Sequence, residues 1–155
     1  MKMGTLCYVK KDNQYLMLHR VKKENDFHQG LWVGLGGKFE PEESPEDCVI
    51  REVYEESGLK IKNPKLRGIL TFPNDFGHED WYVFLFVAEE FTGELLAESK
   101  EGELRWVDEK EIDSLPMHEG DYLFVKWMNE YSGVFSAKFN YENGKLIDYQ
   151  LTAVY

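Results

Sequence analysis

The stretch from Gly36 to Leu59 dictates a local structure that the rest of the chain has to accommodate. Ser44-Pro45-Glu46-Asp47 reads as a helix start, with Ser44 as N-cap, Pro45 at the first helical position and an acid three residues after the cap. Gly58 reads as the stop, so the spacing predicts a helix over about 45–57. On that helix Glu52, Glu55 and Glu56 stand at i, i+3 and i+4, which puts three carboxylates on one face. Like charges so close repel, and a Glu-rich helix is ordinarily a solvated surface. Here the helix follows Gly36-Gly37-Lys38, with Glu43 and Arg51 beside the carboxylates. That context points to a platform for hard divalent cations, because Mg²⁺ prefers oxygen ligands and keeps positions open for substrate phosphates.

Gly36 and Gly37 leave no side chain between a strand end and such cations, so a backbone carbonyl can approach the metal. Lys38 supplies a compact positive charge suited to a phosphate oxygen. Arg51 is expected to point away from Glu52 along the helix and to clamp Glu43, bracing the loop onto the helix.

The pattern Gly37, five residues, Glu43, seven residues, then Arg51-Glu52-Val53-Tyr54-Glu55-Glu56-Ser57-Gly58-Leu59 resembles the signature box of the Nudix hydrolases at every fixed position. Seven fixed residues at roughly 6% usage each make a chance match on the order of one in a billion per starting point. The resemblance implies a metal set of Glu52, Glu55, Glu56 and the Gly36 carbonyl. It also implies structural roles for Gly37, Glu43, Arg51 and Gly58.

The chain has 155 residues and a formal net charge of −11. That length suits a single domain over 1–155 with one substantial core. The acidic balance disfavours binding to a nucleic-acid polymer, which needs a basic footprint, but permits a small anionic nucleotide bridged to the site by metal ions. No apolar run reaches the length of a membrane span, and the start lacks a signal-peptide core. The two cysteines, Cys7 and Cys48, read as buried reduced thiols rather than a disulfide. Together these features predict a cytoplasmic protein.

Strand signals surround the helix. Thr5 to Lys10 and Tyr15 to Arg20 flank a hairpin turn at Asp12-Asn13. Trp32 to Lys38 is expected as one strand delivering the glycines, Leu66 to Phe72 as another, and Leu104 to Val107 as a short one. Trp81 to Val87 is so rich in aromatic and β-branched residues that it reads as a largely buried central strand. Phe124, Trp127, Met128 and Tyr131 recur at helical spacing, predicting a second amphipathic helix over Tyr122 to Tyr131. Phe135 to Tyr141 and Lys145 to Leu151 form a hairpin around Glu142-Asn143-Gly144. The expected fold is α+β, an α/β/α sandwich with a mixed β-sheet packed between helices, similar to the Nudix fold.

Outside the box, Phe27, Trp32 with Gly34, Phe72, Glu98 to Glu101 before Trp106 and the Leu146-Ile147-Asp148-Tyr149 segment resemble the MutT-like 8-oxo-dGTP diphosphatases. That branch carries an extra carboxylate that binds metal or activates water. Glu101, five residues before Trp106, fits it better than its neighbours Glu98 and Glu103. The resemblance implies a Mg²⁺ enzyme, with Mn²⁺ as a substitute, in which bound ions bridge the phosphates and acidify a water. Glu52 or Glu101 takes the proton as water attacks the β-phosphorus, yielding monophosphate and pyrophosphate. Glu52, Glu55, Glu56 and Glu101 are therefore the expected catalytic and metal-binding carboxylates.

Arg20, Lys23 and Lys38 are candidates for holding phosphates. A purine needs a flat apolar slot with a few polar groups, for which Phe27, Phe72, Trp81 and Met117 are candidate walls and Glu119 or Asp121 candidate readers. His118 reads as an exposed polar residue. The chain departs here from the best-known animal enzymes that it resembles: Val33 stands where they carry an asparagine, and Met117-His118-Glu119-Gly120-Asp121 replaces a Trp followed by Pro and paired Asp residues. The expected activity is sanitation of the nucleotide pool, in support of DNA repair. The alternatives are another diphosphate substrate (an ordinary nucleoside triphosphate, a nucleotide sugar or ADP-ribose) or a non-catalytic nucleotide-binding module.

Overall fold

A computed structural model describes residues 1–21, 30–75 and 78–155. The chain starts with a hairpin of β1 (Lys2–Lys11) and β2 (Gln14–Arg20). Asp12 and Asn13 carry positive φ in its turn, at 51° and 69°, the backbone that a two-residue hairpin loop requires. Next come β3 (Trp32–Val33), β4 (Leu35–Lys38), α1 (Pro45–Ser57), β5 (Lys60–Lys62), β6 (Lys65–Asp75), β7 (Glu79–Ala88) and β8 (Glu90–Thr92). The chain closes with β9 (Glu98–Ser99), β10 (Gly102–Asp108), a 3₁₀ turn at Glu109–Ser114, α2 (Glu119–Glu130), β11 (Phe135–Glu142) and β12 (Lys145–Val154).

The main sheet runs in the order β12-β11-β6-β7-β1-β2-β10-β9, with β3 paired to β2 and β4 to β1. It is mixed: β1 lies parallel to β7 and β11 parallel to β6, while the hairpins are antiparallel. β5 and β8 form a separate two-stranded sheet.

Alternation along the strands decides which helix each face receives. Cys7 and Val9 of β1 and Phe86 and Ala88 of β7 pack with Val49 and Val53 of α1. Tyr8 of β1 and Leu85 and Val87 of β7 pack with Phe124, Val125, Trp127 and Met128 of α2. The sheet therefore lies between two apolar clusters, each closed by one helix, as the sandwich reading requires. Cys7 and Cys48 are buried free thiols. Among the described residues no helix is long and apolar enough to cross a membrane.

Several elements differ from expectation. The strand expected over Trp32 to Lys38 is two short ones, paired to different neighbours and separated at Gly34. A Cβ at Gly34 would lie 3.0 Å from the Cys7 carbonyl oxygen and 3.2 Å from Tyr8 Cζ, so the chain changes partner at the one residue slim enough to pass there. α2 begins at Glu119, before the apolar stripe, with Glu119 and Asp121 in its first turn, where acids suit the helix dipole. β7 is fully buried only in its second half, Leu85–Ala88; its first half forms part of a cavity wall.

Candidate active site

The glutamate helix forms as its capping signals dictate. Ser44 Oγ accepts the Asp47 N–H at 3.0 Å, and the Asp47 carboxylate accepts the Ser44 N–H at 3.1 Å. At the other end Gly58 adopts φ 82° and donates to the Tyr54 carbonyl, satisfying an otherwise orphaned acceptor.

A cavity of about 720 Å³ crosses the sheet between α1 and α2. At the α1 end it is lined by Arg20, Gly36, Gly37, Lys38, Glu52, Glu56 and Glu101. At the α2 end stand Phe72, Asp75, His118, Asp121, Phe124 and Tyr141, over a floor that includes Leu6, Leu70 and Val83. Trp81 also lines it, with the Lys38 ammonium 5.6 Å above its ring.

The two glycines are set by space. A Cβ at Gly36 would lie 2.0 Å from the Thr5 carbonyl oxygen, and one at Gly37 would lie 2.4 Å from Glu52 Cδ. Glycine at both positions lets the backbone of β4 reach the carboxylates of α1. The Gly36 N–H then donates to Glu56 Oε1 at 2.9 Å. Burial pushes the Glu56 carboxyl up to about 8, and the negative charges of Glu101 and Glu52 add to the rise, against the Gly36 bond and Arg20. The three carboxylates Glu52, Glu56 and Glu101 thus share one field at one end of the cavity.

Arg51 does clamp the loop. Its Nε and a terminal nitrogen donate to the two Glu43 oxygens at 2.7 and 2.8 Å, and it also donates to the Lys38 carbonyl at 3.1 Å. This fork holds the Glu43 carboxyl down at about 2, chiefly through the Arg51 hydrogen bonds. The expectation that Arg51 points away from Glu52 is incorrect, because its remaining nitrogen donates to Glu52 Oε1 at 2.7 Å and to Glu55 Oε2 at 3.3 Å. The guanidinium is long enough to hold the loop with one edge and reach its own helix with the other. The Glu55 side chain is 55% exposed, against 17% for Glu52, and Glu55 is absent from the cavity lining.

Among the other expected site residues, Glu101 lines the cavity and pairs with Arg20 at 2.9 Å, whereas Glu98 and Glu103 are exposed outside it. Phe72, Trp81 and Asp121 line the cavity. Met117 and Glu119, expected at the base end, do not. Met117 is a core residue at 6% exposure, and exposed Glu119 accepts the Leu146 N–H of β12 at 3.3 Å. Phe27 and Lys23 lie outside the described residues. His118, read as exposed, is half-buried in the cavity wall. Asp75, Glu79 and Tyr141 were missed. For Glu79 and Tyr141 the signal was alternation, since Glu79, Trp81 and Val83 share one side of β7 and Tyr141 continues the inward series Phe135, Ala137 and Phe139 of β11, whereas Asp75 lies past a register irregularity in β6 that breaks the alternation from Phe72.

A NUDIX domain model matches residues 2–128. The chain belongs to the Nudix hydrolase family. It is 38% identical over 151 residues to the uncharacterized Nudix hydrolase YvcI of Bacillus subtilis, covering 95% of this chain and 92% of that one. The crystal structure of the mutator MutT protein of Bacillus halodurans superimposes with a TM-score of 0.86 at 33% identity, covering 97% of each chain. Over shorter stretches the chain is 37% identical to NAD-capped RNA hydrolase NudC of Pseudomonas syringae, spanning 38% of that protein. It is likewise 37% identical to putative 8-oxo-dGTP diphosphatase 3 of Mycobacterium tuberculosis, spanning 45% of it.

Nudix hydrolases act on nucleotide substrates and generally use a divalent metal. The donors here fit such an ion: Glu52, Glu56, Glu101 and the Gly36 carbonyl are all hard oxygen, and a cation would relieve the field that holds a proton on Glu56. Among the described residues, however, no three acidic, imidazole or thiol groups converge as a finished cage.

Proposed function

We propose that this Nudix hydrolase is a Mg²⁺-dependent pyrophosphohydrolase of nucleoside triphosphates, acting on 8-oxo-dGTP in the cytoplasmic nucleotide pool. The observation that carries this reading is the buried Glu56 carboxylate, fixed by Gly36 and facing Glu52 and Glu101 at one end of a cavity. The other end of that cavity is apolar with an aspartate in its wall. Phosphates belong at the first end and a flat base at the second.

Glu52, Glu56, Glu101 and the Gly36 carbonyl would hold Mg²⁺, with Mn²⁺ as a substitute. The ion supplies charge neutralisation at the phosphates and lowers the pKa of a bound water. The Gly36 N–H orients Glu56, and the Arg51 fork keeps Glu52 turned toward Gly37. Arg20 and Lys38 supply positive charge for phosphate oxygens. A Glu101 carboxylate oxygen takes the proton of the attacking water. The new bond forms from that water to the β-phosphorus, and the α–β bridging oxygen leaves with the monophosphate.

Resemblance to the MutT branch supports the triphosphate, and the mycobacterial relative supports 8-oxo-dGTP among triphosphates. A second reading keeps the reaction and changes the leaving group to that of a nucleotide sugar, ADP-ribose or a nucleotide cap. Val33 in the cavity wall favours it, since an asparagine there would read a purine edge, as does equal identity to NudC. The presence of Glu52, Glu55 and Glu56 argues against a non-catalytic module.

The test is kcat/KM for 8-oxo-dGTP, dGTP, ADP-ribose and a nucleotide sugar with Mg²⁺ supplied. A preference for 8-oxo-dGTP over dGTP of about a hundredfold supports the proposal. A nucleotide sugar or ADP-ribose outrunning every triphosphate replaces it with the second reading.

A further inference from the structure

The base end of the cavity carries a hydrogen-bond donor that the cleavage chemistry does not use. Tyr141 of β11 lines the cavity beside Asp121, and its hydroxyl oxygen accepts the Gly120 N–H at 2.6 Å. Gly120 is the second residue of α2, and its N–H is one of those a helix leaves without an internal partner. The bond therefore fixes the phenol against the helix start. A Cβ at Gly120 would lie 2.7 Å from that oxygen, so Tyr141 takes this place only because position 120 has no side chain. Phe72 flanks the ring at 6.3 Å.

The amide uses the hydroxyl oxygen as acceptor. The hydroxyl hydrogen has no acceptor among the described residues. Asp121, next in sequence to Gly120, is 8% exposed and lines the same cavity. A donor and a carboxyl thus stand together at the edge of an apolar slot whose partly exposed walls include Leu6, Phe72 and Val83.

We propose that the Tyr141 hydroxyl donates to a ring carbonyl of the substrate base while an Asp121 oxygen accepts the adjacent ring N–H. The site would then select bases carrying a lactam, O=C–N–H, over bases carrying an amino group at that edge. This rests on the reading of the cavity as a nucleoside triphosphate site. Guanine, 8-oxoguanine, hypoxanthine and uracil present the lactam. Adenine and cytosine turn an amino donor to the phenol, whose oxygen already accepts the Gly120 N–H and whose hydrogen then finds no acceptor on the base, so the edge is mismatched there whichever protonation state Asp121 holds. Sites built on placed polar groups reject such analogues strongly, because the buried groups are left unpaired. Tyr141 is a specificity-determining residue in this account and takes no part in bond cleavage.

The test compares kcat/KM for dITP and dATP, which differ only at this edge, in the wild-type chain and in Tyr141→Phe. Wild type should prefer dITP by about a hundredfold. Tyr141→Phe should lower the dITP value by about tenfold or more while leaving dATP within about twofold. An equal loss on both substrates would mean that the phenol only braces α2, and would overturn the proposal. Efficient hydrolysis of dITP and dATP at equal wild-type rates would also overturn it, leaving the triphosphate reading intact. Turnover of other diphosphates with neither triphosphate cleaved would remove both. The 6-thio analogue of dITP, whose thione is a weaker acceptor, provides a test in the unaltered protein: its value should fall between dITP and dATP, and equality with dITP would overturn the proposal.

Discussion

The backbone N–H of Gly36 and the carboxylate of Glu56 meet at 2.9 Å, tying the strand that ends in two glycines to the last turn of the helix carrying the acids. Glutamine at position 56 keeps an oxygen for this bond and loses the ionised ligand. Glu56→Gln should therefore fold normally while pyrophosphate release falls by roughly a thousandfold or more, the scale of losing a group that holds the metal and stabilises developing charge. Circular dichroism and a pyrophosphate assay with excess Mg²⁺ check both parts. Turnover within tenfold of wild type would remove Glu56 from the metal site.

Glu55 and Glu52 should separate in the same assay. Glu55 lies outside the cavity and shares the Arg51 guanidinium, so Glu55→Gln should cost about 1 kcal/mol or less, a loss of at most about fivefold. Glu52 faces Gly37 inside the cavity, and Glu52→Gln should approach the Glu56 variant. Equal losses at 52 and 55 would show that Glu55 turns inward to become a ligand when metal binds.

Arg51 and Glu43 make a two-pronged pair that lysine cannot reproduce, since an ammonium offers a point charge rather than a planar fork. Arg51→Lys should lower unfolding stability by about 1.5–3 kcal/mol, the usual worth of hydrogen bonds to charged groups. Urea denaturation of Arg51→Lys, Glu43→Gln and the double variant closes a cycle. Additive single losses would mean that the two residues do not act as a pair.

The sequence made the catalytic end far more legible than the base end, and the reason is locality. Ser44, Asp47 and Gly58 fix the helix through contacts within a few residues, so the facing of Glu52 and Glu56 follows from spacing alone. Glu101 was found by its distance from Trp106, and β10 carries that distance into space. At the base end, by contrast, the facing of residues 117–121 depends on where α2 begins. Its start at Glu119 turns Asp121 and Phe124, three apart, into the cavity and leaves Glu119 outside. Met117, before the helix, falls into the core instead. Tyr141 was readable as inward from its strand alternation. Its meeting with Gly120 joins elements 21 residues apart, and no local pattern encodes that.

Asp121 gives the molecule a pH signature separable from catalysis. Burial pushes its carboxyl up to about 8, so the folded protein holds a proton that the unfolded chain releases near pH 4. The folded state then binds more protons across that window, and stability must fall as pH rises from about 4 toward 8. Glu56, also pushed up to about 8 mainly by burial, adds a slope of the same sign in the metal-free protein. Asp121→Asn removes one titrating group and should flatten the decline by an amount on the order of a few kcal/mol. Mg²⁺ should flatten the part due to Glu56, because metal favours the ionised carboxylate. Thermal midpoints from pH 5 to 9, with chelator and with Mg²⁺, for wild type, Asp121→Asn and Glu56→Gln separate the two contributions. A wild-type midpoint that rises with pH in chelator would show that neither carboxyl is held protonated in the folded chain.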